Sequence, residues 1–282
     1  MNVEPTPQDS AGLDALAQEI LAPIRADLAA HGRPFILGLS GLQGSGKSTL
    51  AQHLCAMASP CSALALSLDD FYLGRAHRQQ LARHVHPLLV TRGVPGTHDV
   101  DALHRVLDAL SQTQNFAPLS LPQFDKGTDN PVDPSQWPRI SEPPRLIVLE
   151  GWCLSVPAQT QSALIQPINA LEANEDAQGI WRRWVNAKLA DEYAGLWQRI
   201  DHLVVLQAPG FEVVARWRDQ QEQALRDRQA PQAMSAFELA RFIAHYERLS
   251  RHALTALPAL ADTLVRLDPQ RAACSRWSPS PT

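Results

Sequence analysis

The chain has 282 residues, 45% apolar and 19% charged, a globular balance with length enough to bury a core without disulfide or metal staples. Lys and Arg number 25 against 29 Asp and Glu, and the net charge of −4 excludes a general nucleic-acid coat or a polybasic membrane anchor. Cys55, Cys61, Cys153 and Cys274 form no CxxC, the N-terminus lacks a signal-peptide pattern, and no apolar run reaches the ~20 residues of a membrane helix, so a cytoplasmic protein with reduced thiols is expected.

In chain order, residues 1–9 read as a loose tail. Leu13, Leu16, Ile20, Ile24 and Leu28 recur at helical spacing and predict a helix over 10–31 with a kink at Pro23. A buried strand is expected over 35–39 and a helix from Ser48 to Met57. Ser62 to Leu68 reads as a second strand ending in Asp69 and Asp70. The stretch from Phe71 to Thr97 is rich in Arg, His and Pro and reads as irregular. Asp99 then N-caps a helix over 100–111. A short strand is expected in 118–124 and a long loop over 125–144, which holds five prolines.

Leu146 to Leu149 is a clean buried strand leading into Glu150-Gly151-Trp152. Further expectations are a mostly helical region over 160–200, a strand from His202 to Leu206, helices over 211–228 and 235–253, a strand from Thr263 to Leu267 and a mobile tail over 269–282. Continuously apolar strands alternating with helices indicate an α/β fold whose parallel sheet carries helices on both faces. One domain is expected, with a core over 33–267 and a small cap built from 71–98 and 118–144.

Gly41-Leu42-Gln43-Gly44-Ser45-Gly46-Lys47-Ser48 satisfies G-x-x-x-x-G-K-[ST] between a predicted strand and a predicted helix, with Thr49 following. Glycines let successive N–H groups curl around phosphate, and the helix N-terminus adds positive potential. Lys47 can reach the β- and γ-phosphates and the Ser48 hydroxyl can ligate Mg²⁺. The plainer alternative is a glycine-rich turn with a solvated lysine. Glu150, at the end of an apolar strand, fits a carboxylate that holds Mg²⁺ directly or through water. Asp69 and Asp70 close strand two at the same sheet edge, where one could accept a hydroxyl proton and the other cap or turn.

GLQGSGKST at 41–49, SLDDFYL at 67–73 and IVLEGW at 147–152 resemble the P-loop small-molecule kinases grouped with phosphoribulokinase, uridine kinase and bacterial pantothenate kinase. RGVPGTHDV at 92–100, LPQFDK at 121–126, WRRWVNAKL at 181–189 and ARWRDQQEQALR at 215–226 resemble one branch, the D-glycerate 3-kinases of plant and fungal type and their bacterial relatives. The resemblance spans about 33–267. It implies a P-loop NTPase fold and ATP with Mg²⁺ at Lys47, Ser48 and Glu150. It makes Asp69 the base, and puts Arg216 and Arg218 in a lid over 211–234. Two residues apart, these arginines diverge by about 200° on a helix, so only one can face the site.

A small anionic acceptor needs cationic or N–H partners, and Arg92, His98 and Lys126 lie in the predicted cap, with Asp70 and Asp99 counted beside them. Asp70 is expected to turn towards backbone donors or Arg75. Phe71, Tyr72 and Phe124 could instead stack a nucleobase. His84, His86 and His98 lack a thiol or acidic partner at zinc spacing. The resemblance favours an organic acid, D-glycerate, as acceptor. A kinase for a nucleoside or pantothenate, and a nucleotide-binding switch without transfer chemistry, are the alternatives.

Overall fold

The computed structural model describes residues 7–114, 116–227 and 234–277. The first apolar stripe folds as α1 (Pro7–Leu21) and α2 (Arg25–Ala30), separated by a 3-10 turn over Ala22–Ile24 that contains Pro23. Proline there removes a helical N–H, which is the predicted break. Then follow β1 (Phe35–Gly41), α3 (Lys47–Met57), β2 (Ala63–Ser67), α4 (Arg75–His84) and α5 (Val100–Leu110). Four two-residue strands come next: β3 (Leu119–Ser120), β4 (Phe124–Asp125), β5 (Asn130–Pro131) and β6 (Arg139–Ile140). The remainder is β7 (Leu146–Gly151), α6 (Ala170–Glu175), α7 (Ile180–Ala190), α8 (Glu192–Trp197), β8 (His202–Gln207), α9 (Val213–Asp227), α10 (Ala236–Ala256), β9 (Thr263–Leu267) and β10 (Ala273–Trp277).

The main sheet has the order β10-β9-β8-β1-β7-β2, and all neighbours run parallel except β10. Strands β1 and β7 are buried along their whole length, as their unbroken apolar runs require. On one face Phe35, Leu37 and Leu39 of β1 join Ile20 of α1 and Leu50 and Leu54 of α3. On the other, Ile36 joins Leu103 and Leu107 of α5 and Leu249 of α10. This topology brings three carboxyl ends together. The phosphate-loop candidate leaves β1, Glu150 sits on β7, and β2 pairs Ser67 with Glu150 just before Asp69.

Three segments differ from expectation. The stretch read as irregular contains α4, whose one buried side chain is Arg78, 1% exposed. Its guanidinium donates to the carbonyls of Leu73, Val90 and Asp129 at 2.7–3.1 Å and meets the Asp129 carboxylate at 2.7 Å. A helix docked through an arginine has no apolar period to read. The expected strand in 118–124 is two fragments, β3 and β4, in separate two-stranded ladders with β6 and β5. The stretch read as a mobile tail contains β10, which adds an antiparallel edge to β9. Residues 278–282 of that expected tail, and 1–6 of the N-terminal one, lie outside the described residues.

Candidate active site

The loop from Gly41 to Ser48 bends through two left-handed glycines, Gly44 (φ +79°) and Gly46 (φ +88°). At Gly44 the space is closed as well, because a Cβ would lie 2.7 Å from Trp217 Cβ. Lys47 is buried, and its Nζ donates to the Leu42 carbonyl at 3.1 Å. Burial lowers the Lys47 pKa, with the charges of Glu150 and Asp69 opposing. Ser48 Oγ donates to Glu150 Oε1 at 2.8 Å. Gln43 presents a buried amide, and Ser45 a buried hydroxyl, with no partner among the described residues. Thr49 follows in the first turn of α3.

Asp69 and Asp70 lie in a 3-10 turn over Leu68–Phe71, which breaks strand alternation and lets both carboxylates stay near the sheet edge. Asp69 accepts from Tyr72 Oη at 2.6 Å and Lys126 Nζ at 2.6 Å. Burial alone would raise its pKa. The Lys126 charge and the two hydrogen bonds outweigh that and hold it well below the usual carboxylate range. Asp70 accepts the Phe124 N–H at 3.3 Å rather than an arginine. Burial pushes its pKa up to about 6, and the charge of Asp69 adds to the rise. The backbone N–H of Arg75 donates to Asn130 Oδ1.

The loop at 92–98 is clamped over this edge by three aromatic residues. Trp152 Nε1 donates to the Gly93 carbonyl, Tyr246 Oη donates to the Arg92 carbonyl, and Tyr193 Oη receives the Gly96 N–H. Gly96 has φ +89° and would put a Cβ 2.3 Å from the Trp184 ring. The separate sequence motifs at 92–100, 150–152 and 181–189 are thus parts of one packed unit. Arg92 pairs with Asp129 at 2.5 Å and lies over the Phe124 ring at 5.7 Å. His98 is buried, stacked on Tyr72 at 4.6 Å.

Three other expected site residues have protein partners in this structure. The Asp99 carboxylate caps α5 by accepting the Ala102 N–H and lies 3.9 Å from Arg105. Arg216 donates to the Pro269 carbonyl at 2.7 Å, on the side of α9 away from the cap. Arg218, on the other side, pairs with Glu222 at 2.8 Å and lies over Phe242 of α10 at 5.5 Å. The sequence reading missed Arg271, whose Nε donates to the Gly44 carbonyl at 2.6 Å while its guanidinium lies 5.4 Å from the Trp217 ring centroid. It also missed Tyr193 and Tyr246, and read Tyr72 as a base-stacking ring rather than as the hydroxyl bonded to Asp69. Their residue type carries no special signal, and only the three-dimensional junction shows their use.

A curated protein of Schizosaccharomyces pombe, named uncharacterized kinase mug58, is 37% identical over 250 residues, covering 83% of this chain and 86% of its own. The chain belongs to the P-loop kinase family of that protein. The same family resemblance extends to the chloroplastic D-glycerate 3-kinase of Arabidopsis thaliana, 32% identical over 76% of this chain and 46% of that one. A solved D-glycerate 3-kinase from Cryptococcus neoformans superposes with a TM-score of 0.77 over 94% of this chain and 99% of that one, at 22% identity, and shares the fold. No family model matches the chain. The protein is therefore an ATP-dependent kinase, and the alternative of a nucleotide switch without transfer chemistry falls. No described helix is long and apolar enough to cross a membrane.

Proposed function

We propose that this kinase transfers the γ-phosphoryl group of ATP to the hydroxyl of a small organic acid, with D-glycerate as substrate and 3-phosphoglycerate as product. The observation that carries the reading is the Lys126–Asp69 pair at 2.6 Å, which sets a cation and a carboxylate side by side at the edge shared with Lys47 and Glu150. An acid with a neighbouring hydroxyl needs that combination, a positive group for its carboxylate and a base for its hydroxyl. The name of the Arabidopsis relative supports the same acceptor. Phe71, Tyr72 and Phe124, the residues a nucleobase would stack on, are each 8% exposed or less, which counts against a nucleoside.

The donor set fits a divalent cation, since Ser48 Oγ and Glu150 Oε1 already converge at 2.8 Å and both are hard oxygen ligands. Bound there, Mg²⁺ would neutralise charge on the phosphates. The remaining work belongs to the chain. Lys47 and the N–H groups of the loop hold the phosphates, and Lys126 with Arg92 orients the acid carboxylate. The hydroxyl oxygen forms a bond to the γ-phosphorus as the bond to the bridging oxygen breaks, and ADP leaves with that electron pair. Asp69 accepts the hydroxyl proton as the new bond forms, because an alcohol is too weak an acid to be deprotonated beforehand. Coupled ADP release across a panel of hydroxy acids, nucleosides and pantothenate tests the assignment. Turnover with D-glycerate far above the rest is expected, and a nucleoside or pantothenate as preferred acceptor overturns it.

A further inference from the structure

His98 is 3% exposed, and its two ring nitrogens are in different situations. Nδ1 lies 2.6 Å from Tyr193 Oη. That phenol oxygen receives the Gly96 N–H at 3.0 Å, and the backbone N–H of His98 also points at it. With both lone pairs facing backbone donors, the phenol has its own proton left to give, and Nδ1 is the acceptor within reach. A histidine that accepts at Nδ1 carries its proton at Nε2. Nε2 is buried and has no partner among the described residues.

Burial pulls the His98 pKa down to about 4, so the ring is neutral near neutral pH. The ring lies against Tyr72, whose hydroxyl is bonded to Asp69. Nε2–H is on the side of the ring away from Tyr193, and a buried donor left unpaired is costly. We infer that His98 Nε2–H is a specificity-determining donor to an oxygen of the phosphoryl acceptor, held in that tautomer by Tyr193. The identity of that oxygen as a carboxylate rests on the acid-kinase reading above. An acceptor without an oxygen at this point would leave the donor unpaired, and the site would reject it.

Two substitutions separate this role from a structural one. His98→Asn keeps an acceptor at the Nδ1 position for Tyr193 and removes the donor at the Nε2 position. His98→Gln extends an amide N–H to the Nε2 position. Steady-state KM is measured for ATP and for D-glycerate or, should the panel return another acceptor, for that compound. Failure of the function reading is thereby seen separately in the wild-type panel. The expected result is an acceptor KM raised about 10- to 100-fold in His98→Asn, the size of a charge-assisted hydrogen bond. His98→Gln is expected to recover most of it, with ATP KM within twofold in both. Nitrogen NMR of the wild-type ring is expected to show the proton on Nε2 and a shift of that nitrogen on adding acceptor. Equal impairment of both variants, rescue by Asn rather than Gln, or a proton on Nδ1 would overturn the inference.

Discussion

Lys126 Nζ lies 2.6 Å from Asp69 Oδ2, so the loop after β4 is tied directly to the carboxyl end of β2. The pair gives the cap a charge contact with the sheet edge and holds Asp69 ionised. In the proposed reaction the lysine orients the acid and the aspartate takes the proton, so the two substitutions should separate in kinetics. Asp69→Asn is expected to lower kcat by roughly the 10²–10⁴ typical of a general base, with ATP KM little changed. Lys126→Met is expected to raise the acceptor KM far more than the ATP KM. The reverse assignment, kcat lost in the lysine variant and KM in the aspartate one, would exchange their roles.

Asp70 differs in sign. Its folded-state pKa of about 6 lies above the ordinary 3.8, so between those values the folded chain binds more protons than the unfolded one. Its contribution therefore favours folding at low pH and is lost as pH rises from about 4 to beyond 6. Asp70→Asn keeps an oxygen for the Phe124 N–H and carries no charge. Its melting temperature relative to wild type should rise from pH 4 to pH 7, with kcat within a few-fold. A relative melting temperature that falls over that interval would contradict the direction of the shift.

The Ser48–Glu150 contact predicts a metal phenotype. Glu150→Gln keeps the size and hydrogen-bonding capacity of the side chain and removes its charge. The Mg²⁺ concentration for half-maximal rate is expected to rise at least about tenfold, as charge count among hard ligands sets affinity. An unchanged Mg²⁺ curve with normal kcat would remove Glu150 from the metal shell.

What the sequence made legible is what is local in the chain. Gly41 to Ser48 is a contiguous motif, and the runs before Asp69 and Glu150 are apolar strands whose ends share an edge in any parallel sheet. What it hid depends on distant partners. Arg78 makes α4 a helix by bonding carbonyls 5, 12 and 51 residues away. Asp99 was legible as a cap, because its bond to the Ala102 N–H is three residues away. Pro269 and the polar stretch after it gave no strand signal, yet the chain returns 227 residues later to place Arg271 on Gly44.

That return predicts a nucleotide effect. Arg271 holds the Gly44 carbonyl, and its own backbone sits at φ +75°, a conformation that costs energy for a non-glycine residue. Arg271→Ala frees one peptide of the phosphate loop and removes the cation over Trp217. ATP KM is expected to rise about tenfold or more while the acceptor KM stays within twofold. Gly44→Ala should be worse, because it combines a left-handed φ with a 2.7 Å contact to Trp217 Cβ. An Arg271→Ala enzyme with wild-type ATP KM would make the contact incidental.

Arg216 and Arg218 give the last test, because α9 turns them to different surroundings. Arg216 bonds the Pro269 carbonyl at 2.7 Å, beside the strand edge that Arg271 also uses. Arg218 faces α10. It lies over Phe242 and is close enough to Tyr246 for its charge to lower the Tyr246 pKa, against the burial and Asp69 charge that raise it. Tyr246 in turn bonds the Arg92 carbonyl in the cap, and on that ground we propose Arg218 as the lid arginine. Its ion pair with Glu222 holds the guanidinium in place, and in the proposed role a phosphoryl oxygen, a partner of the same charge sign, would take the place of that carboxylate. Arg218→Ala is therefore expected to lower kcat by about 10³-fold or more, the scale of a charge-stabilising arginine in phosphoryl transfer. Arg216→Ala should leave kcat within twofold. Arg218→Lys separates charge from geometry, since a lysine restores the charge without the planar fork and should recover only part of the rate. If Arg216→Ala carries the loss in kcat and Arg218→Ala is silent, α9 must rotate before transfer, and the face assigned to the lid is the wrong one.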